Sequence, residues 1–303
     1  MAGYSSSTVS PRTPSSRFAD TSGNLLGILG RLVRRPLSFV GMLIVLLFLV
    51  LAVIGPTVAP FEYDEFARDS NGTIQRRAAP SAEFFFGTDH LGRDVFSRVL
   101  WGAREIIIIP GIATVLAVLF GTTLGLTIGY YGGWLDELVS RLLDSLLAIP
   151  ALVLALVMLA TVGPSPVGII IVIVLLYTPI VTRVIRSATL NLRSAGYVEA
   201  ARLRGDSPLY ILFREILPGV LPALAVEAAL RFSYAIFLTA SLGFLGLGVQ
   251  PPSPDWGRMV NEGRAQFERV PWALWFPAGA IATLVIGVNL MADGLRRIFR
   301  YEG

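Results

Sequence analysis

The side chains able to do acid–base or nucleophilic chemistry are few in this chain. All 25 basic residues among the 303 are arginines, cysteine is absent, and His90 is the only histidine. Without lysine, the chain lacks the phosphate-binding residue of P-loop ATPases and the amine that forms Schiff bases. Without cysteine, it forms no disulfide or thiolate zinc site, and a histidine-based triad would have to use His90. We therefore expect that the chain by itself is not an enzyme.

His90 lies in the segment 87–94, which reads GTDHLGRD. A histidine beside an aspartate suggests a metal site or an acid–base pair. One histidine is too few for a His-rich site, however, and Asp89, Arg93 and Asp94 can satisfy one another. The glycines and alternating charges favour a folded cap or a docking surface instead. We predict no metal site.

Glu227 and Arg231 form the second candidate pair, four residues apart in an apolar stretch. A charge in the hydrocarbon region costs about 3 kcal/mol unless it is paired or hydrated. At this spacing the two side chains share one helix face and can neutralise each other. They are either a structural ion pair or the lining of a possible translocation path for a polar solute.

Long apolar segments must position these groups. Hydrophobic residues make up 54% of the chain and charged residues 15%, whereas soluble domains carry about 25% charged residues. The uncharged run at 145–182 exceeds one span of about 20 residues, and we divide it at Gly163-Pro164-Ser165-Pro166. The sequence thus predicts an all-α integral membrane protein with six transmembrane helices, at about 37–59, 106–131, 140–162, 167–190, 217–247 and 271–292.

The distribution of arginine predicts the orientation. Residues 1–35 have no cleavage site and are expected to form a disordered cytoplasmic tail before a transmembrane domain at 36–300. Six spans then put both termini in the cytoplasm, with 61–105 outside and 193–216 inside. The inner segments carry fifteen arginines and the outer loops nine, which agrees with the positive-inside rule.

Gly121, Gly125 and Gly129 recur every four residues in the second span. Such a stripe lets another helix approach closely. The partner helix belongs either to the same subunit or to a neighbouring one.

The segment 199–218 interrupts two apolar runs with charge, glycine and proline. The first part favours a short helix over 197–204 that Gly205 ends. Asp206 or Ser207 then caps a second helix with Pro208 in its first turn, and Leu209 begins its apolar surface. Two short helices at a fixed angle would form a rigid projection outside the membrane. The alternative is an ordinary arginine-rich loop.

This segment resembles the signature of the membrane subunits of bacterial ABC importers: Glu-Ala-Ala, three residues, Gly, nine residues, Ile, one residue, Leu-Pro. The matching positions are Glu199, Ala200, Ala201, Gly205, Leu217 and Pro218. The isoleucine position holds Glu215 instead, with Ile216 beside it.

Further motifs over about 36–300 resemble the dipeptide/oligopeptide/nickel permease group, and within it the "C" subunit. They are GTDHLGRD at 87–94, GYYGG at 129–133, AIP at 148–150, GFLGLG at 243–248, QPP at 250–252, DWG at 255–257 and NLMADGLR at 289–296.

The resemblance implies a type I ABC importer permease fold in a bacterial cytoplasmic membrane. It also implies four kinds of partner: membrane lipid, a second and different permease subunit, two ABC ATPase subunits that bind ATP and Mg, and an extracytoplasmic solute-binding protein. The chain itself would hold no cofactor and bind no nucleic acid. The residues implied to couple to an ATPase are Glu199, Ala200, Ala201, Gly205, Asp206, Ser207, Pro208, Leu209, Leu217 and Pro218. The residues implied to touch the binding protein are Asp89, His90, Arg93, Asp255 and Trp256.

The resemblance favours di- or oligopeptides as cargo and leaves nickel, glutathione or another small solute open. Two other classes of protein are alternatives to an importer permease. An ion-coupled secondary transporter needs polar groups near the membrane midplane, where Glu227 is the one acid well inside a span. A purely structural membrane subunit is the remaining alternative.

Overall fold

The computed structural model describes residue 27, residues 30–69 and residues 71–300, apart from the side chain of Arg300. The predicted disordered tail therefore lies almost wholly outside the described residues. Within them the chain is helical, with three isolated antiparallel bridges in the segment 66–94. The helices are α1 (Pro36–Val58), α2 (Val95–Tyr131), α3 (Gly133–Leu147), α4 (Ala151–Val162), α5 (Pro166–Leu192), α6 (Gly196–Leu203), α7 (Pro208–Phe244), α8 (Trp256–Ala265) and α9 (Trp272–Arg300).

Five of the described helices, α1, α2, α5, α7 and α9, are long and apolar enough to cross a membrane. Counting α3 and α4 together gives a sixth span. The predicted all-α membrane fold is confirmed, with five or six candidate spans in the described part of the chain.

The span predicted at 140–162 is not one straight helix. Helices α3 and α4 meet at 86° across a break of three residues, where Pro150 takes an extended ψ of 126° directly before α4. Proline lacks the amide hydrogen that a continuing helix needs. With 12 residues, α4 is about 18 Å long and too short to cross about 30 Å of hydrocarbon alone.

The glycine stripe of α2 packs against α5 of the same chain. A methyl group added at Gly121 would lie 2.6 Å from Val181 Cβ, and one at Gly125 would lie 2.8 Å from Ile185 Cβ. Side chains at the stripe would force the two helices apart. The contact is therefore intramolecular, the first of the two alternatives that the sequence left open.

One end of α2 is covered by a folded cap, which we define as residues 61–94 together with α8. Asp94 caps α2 by accepting a 2.7 Å hydrogen bond from the Ser97 amide, so the helix begins about ten residues before the span predicted from 106. The indole of Trp272 donates to the Thr88 carbonyl at 3.0 Å. These contacts join the cap to both α2 and α9.

The opposite end of α2 carries a second projection, the knob, which we define as residues 196–216. With 37 residues, α2 is about 55 Å long, and its far end at Tyr130 meets Arg202 of the knob. The cap and the knob therefore lie at opposite ends of the membrane-spanning helices.

Candidate functional sites

The knob consists of α6 and the first turns of α7, with a sharp turn between them. Gly205 has φ +82°, in the left-handed region that glycine enters without strain. Ser207 then caps α7, its hydroxyl accepting from the Tyr210 amide at 3.3 Å, and Pro208 occupies the first turn. The predicted pair of helices is present, but the second continues through a π-helical turn at Ile211–Ile216 into the membrane-spanning part of α7. A displacement of the knob would therefore be transmitted directly to the membrane-spanning part of α7.

The knob has one buried face and one exposed apolar face. Val198, Ala201, Ile211, Leu212 and Ile216 are buried in a cluster with residues of α2 and α5. On the other side the most exposed apolar side chains are Leu203 (90% exposed), Leu209 (68%), Phe213 (46%) and Tyr210 (45%). A group of exposed apolar side chains is typical of a surface that contacts another protein or the membrane.

The predicted coupling residues are distributed over both faces. Ala201 is buried, whereas the exposed ones are Glu199, Ala200, Gly205, Ser207, Pro208 and Leu209. Asp206, Leu217 and Pro218 are half-buried. Their contact with an ATPase stays a prediction, since no partner is present.

Glu215, the one departure from the importer signature, is used within the knob. Its Oε1 lies 3.5 Å from Arg204 Nη2, which also contacts Asp206 at 2.8 Å. The neighbouring Ile216 is fully buried. An isoleucine thus still anchors the knob, one position later than in the signature, and the glutamate stabilises the turn around Gly205.

The knob is also fixed to the glycine-rich end of α2. The guanidinium of Arg202 lies 4.8 Å from the centre of the Tyr130 ring, and Arg193, just before the knob, donates to the Gly129 carbonyl at 3.3 Å. Cation–π contacts of this kind contribute about 0.5–1 kcal/mol at exposed sites. The knob is therefore held by α2, α5 and α7 together.

Glu227 and Arg231 form an ion pair on α7, as their spacing predicts. Arg231 Nε lies 2.8 Å from Glu227 Oε1, although the two are not aligned for a hydrogen bond, and both side chains are nearly buried. The guanidinium lies 4.9 Å from the ring of Tyr234 and 5.5 Å from that of Tyr177 on α5. Whether this cluster lines a translocation path stays a prediction.

Asp89 and Arg93 are internal supports of the cap. Asp89 Oδ1 accepts three backbone hydrogen bonds of 2.8–2.9 Å, from residues 91, 92 and 93. Arg93 joins Asp89 to Glu262 of α8, with both contacts at 2.7 Å. Burial disfavours the charged form of Glu262, but the hydrogen bond from Arg258 and the charges of Arg93 and Arg98 outweigh it, so the pKa of Glu262 is lowered.

His90 is half-buried beside a cavity of only about 10 Å³. That space holds no more than about one water molecule. Among residues 27, 30–69 and 71–300, no group of three His, Cys, Asp or Glu side chains is placed to hold a metal ion.

Asp255 and Trp256 begin α8 and are almost completely buried. Asp255 accepts from the Arg258 amide at 2.7 Å, and Trp256 donates its indole N–H to the Val99 carbonyl at 3.0 Å. Burial raises the pKa of Asp255 to about 6, and the nearby Glu105 adds to the shift. The side chains of Asp89, Arg93, Asp255 and Trp256 therefore face the inside of the fold, and direct contact with a binding protein stays a prediction.

Several polar contacts were missed by sequence reasoning because each joins distant parts of the chain. Arg98 is 2% exposed and donates to the Tyr63 carbonyl at 2.9 Å. Arg186 pairs with Asp136, and Arg183 with Asp144, linking α5 to α3. A charged residue within an apolar segment indicates that it needs a polar partner, but the sequence does not show which distant residue that partner is.

Comparison with known proteins agrees with this geometry. Residues 121–301 match the family described as the binding-protein-dependent transport system inner membrane component, and residues 27–80 match the N-terminal TM domain of oligopeptide transport permease C. The chain is 41% identical over 266 residues to a dipeptide transport system permease protein, DppC, of Alkalihalophilus pseudofirmus, covering 88% of this chain and 86% of that protein. It is 38% identical over 270 residues to a glutathione transport system permease protein, GsiD, of Pectobacterium atrosepticum, covering 88% and 87%.

Among solved structures, the fold is similar to a chain of the MetNI methionine ABC transporter in an inward-facing conformation. The TM-score is 0.53 at 22% identity, and the match covers 68% of this chain and 96% of that chain. This likeness supports the type I ABC importer permease fold, with five or six candidate spans in the described part of the chain. The chain therefore belongs to the family of binding-protein-dependent transport system inner membrane components, the multi-pass permeases of ABC importers, whose ATPases are separate subunits.

Proposed function

We propose that this chain is the C-type permease subunit of an ATP-driven importer of di- or oligopeptides. It forms the pathway with a second, different permease subunit and receives peptide from an extracytoplasmic binding protein. The observation that carries the cargo assignment is the 41% identity to a dipeptide permease over 88% of this chain.

The knob is the surface on which an ATPase subunit acts. Its apolar face is exposed, whereas its opposite face is packed against α2 and α5 and continues into α7. A closing ATPase dimer that displaces the knob would therefore displace three membrane helices. ATP and Mg are bound by the partner subunits, and the chain itself carries out no chemical reaction.

In this proposal the knob and both termini lie in the cytoplasm, and the cap faces outward. The segments placed inside carry fifteen arginines and the loops placed outside carry nine, and this bias supports the orientation. A protease site inserted between Asn71 and Gly72, in the exposed cap turn, would be cut from outside intact cells, whereas the same insertion beside Gly205 would be protected. The reverse pattern would contradict the orientation.

Uptake of a labelled dipeptide by cells that carry the complete importer tests the function. We expect uptake to stop when the phosphate-binding lysine of the partner ATPase is replaced. We expect it to persist when an ionophore collapses the ion gradients while ATP is maintained. Uptake that follows the gradient would instead identify a secondary transporter.

Glutathione is the second candidate cargo, because a glutathione permease is 38% identical over a similar length. Nickel or another small solute is a further alternative. Purification of the importer with its binding protein, followed by identification of the bound solute, separates these cases.

The Glu227–Arg231 pair lines the translocation path in this proposal. We expect the double variant Glu227→Gln with Arg231→Gln to assemble normally and to transport poorly, because it removes both charges while leaving no buried charge unpaired. Normal uptake by the double variant would exclude a role in the path.

A further inference from the structure

A cavity of about 450 Å³ lies at the cap end of α2. It is lined by the rings of Tyr63 and Trp101 and by the polar side chains of Glu105 and Gln250. The two rings contact each other edge to face, with centroids 5.2 Å apart. The volume is within the range of about 300–1,000 Å³ found for small-molecule sites. The cavity is therefore large enough for a dipeptide.

Glu105 is the acidic group of this cavity, and it differs from the acids of the cap. It is half-buried and accepts a hydrogen bond from the Ser253 hydroxyl. No arginine of the described chain lies within ion-pair distance of it, whereas Asp89 and Glu262 are both paired with Arg93. The carboxylate thus keeps acceptor capacity for a cation that enters the cavity.

Arg104 lines the same cavity and is exposed. Consecutive residues of a helix point about 100° apart. Arg104 and Glu105 therefore line different parts of the cavity. Glu105, next to two aromatic rings, suits an ammonium group through charge-assisted hydrogen bonds and cation–π attraction. Arg104 suits a carboxylate.

We propose that this cavity is a binding site of the permease itself for a zwitterionic peptide, in which Glu105 binds the α-ammonium group and Arg104 the carboxylate. The proposal rests on the proposed peptide function. Glutathione carries the same two groups and fits the same chemistry, whereas a bare metal ion carries neither.

A single reporter cysteine tests binding without the solute-binding protein. The chain has no cysteine, and Ile108 lines the cavity with 43% of its surface exposed. In the purified complex with Ile108→Cys, we expect dialanine to slow the reaction of this thiol with a maleimide. N-acetyl-dialanine should give no protection, and dialanine amide should protect less because Arg104 loses its partner.

The variant Glu105→Gln, added to the reporter, removes the charge but still accepts from the Ser253 hydroxyl. We expect about ten-fold more dialanine to be needed for protection, the loss of one charged hydrogen bond. The matched control is Glu268→Gln, an exposed glutamate outside the cavity lining, which should behave like the parent.

Equal protection by dialanine and N-acetyl-dialanine would overturn the proposal even if Glu105→Gln failed to assemble. So would an unchanged dialanine requirement in that variant. Both results leave the proposed function intact if wild-type cells still take up dialanine in an ATP-dependent way. Loss of that uptake would instead count against the peptide function itself.

Discussion

The cap and the knob lie at opposite ends of the same helices and differ in how far the side chains of their sequence motifs are buried. In the cap, Asp89 and Glu262 both pair with Arg93, and Trp256 is 1% exposed. In the knob, the ion pairs of Arg204 are exposed, and Leu203 and Leu209 are 90% and 68% exposed. The polar motif residues of the cap are paired within the chain, whereas the signature segment of the knob exposes apolar side chains.

This difference distinguishes sequence motifs whose side chains are buried in the fold from motifs whose side chains are exposed. The segment 87–94 and the residues Asp255 and Trp256 stand out in the sequence as strongly as the knob does. Asp89, Asp255 and Trp256 are buried, and their polar atoms bind other parts of the same chain, so these residues stabilise the fold. The prominence of a motif in the sequence therefore does not by itself indicate that its side chains are exposed.

The largest expected effect is on the cap. Replacing Arg93 by Ala leaves two carboxylates without their shared partner, and loss of one member of a buried ion pair costs about 3–5 kcal/mol. Arg204→Ala, which breaks the exposed pairs of the knob, should cost less than about 1 kcal/mol. Thermal unfolding of the two purified variants measures both. Equal destabilisation would remove the contrast between the two regions.

The second prediction uses the raised pKa of Asp255, about 6 against an ordinary 3.8. Between these values the folded protein binds more protons than the unfolded chain, so the contribution of Asp255 to stability is largest below pH 4 and falls as pH rises through 6. The change is at most about 3 kcal/mol. Asn also caps helices, so Asp255→Asn should gain stability relative to wild type over that window.

Thermal unfolding of wild type and Asp255→Asn between pH 4 and pH 7 measures this difference. Knob variants such as Arg204→Ala should follow the wild-type pH profile. A difference between wild type and Asp255→Asn that does not change with pH would contradict the predicted titration.

The third prediction concerns the open surface of the knob. Leu209→Glu places a charge in the proposed ATPase contact, where an unpaired group costs about 2 kcal/mol, or roughly 30-fold in affinity. Leu91→Glu makes the same change at a 42% exposed position of the cap. Copurification of the ATPase should be lost only in the first variant. Its retention in both would place the ATPase elsewhere.

The fourth prediction concerns the turn of the knob, where a modest change in stability is expected. Gly205 has φ +82° and open space around it, so Gly205→Val adds backbone strain of about 1–2 kcal/mol without a clash. We expect the variant to insert in the membrane at wild-type levels, with weaker ATPase binding and uptake. Gly196→Val adds the same side chain to open space at ordinary φ and should keep both.

Much of the fold could be predicted because it depends on local patterns. Apolar runs of about 20 residues must cross the membrane as helices, and Gly205 and Pro208 determine where two helices end and begin. The break at Pro150 was not predicted, since one span was expected at about 140–162. The proline itself is visible in the sequence, but the 86° angle between α3 and α4 depends on how both helices pack against α5.

Within the candidate sites, only contacts between residues of the same helix could be predicted from their spacing in the sequence. Glu227 and Arg231 are four residues apart, and so the helix itself brings them together. The Tyr177 ring beside Arg231 comes from another span, and Ser253, which contacts Glu105, comes from the loop between α7 and α8. Neither pairing has a signal in the sequence.

The sequence by itself determined the membrane class, the helical spans, the chemistry that the chain lacks and the turn that divides the knob. These follow from composition and from interactions within a few residues. Only the tertiary structure decided that Asp89, Asp255 and Trp256 are buried, that the glycine stripe packs within the chain, and that the knob continues into α7. The reason is physical: whether a side chain is buried or exposed depends on which distant segments pack against it, and this is determined only by the tertiary structure.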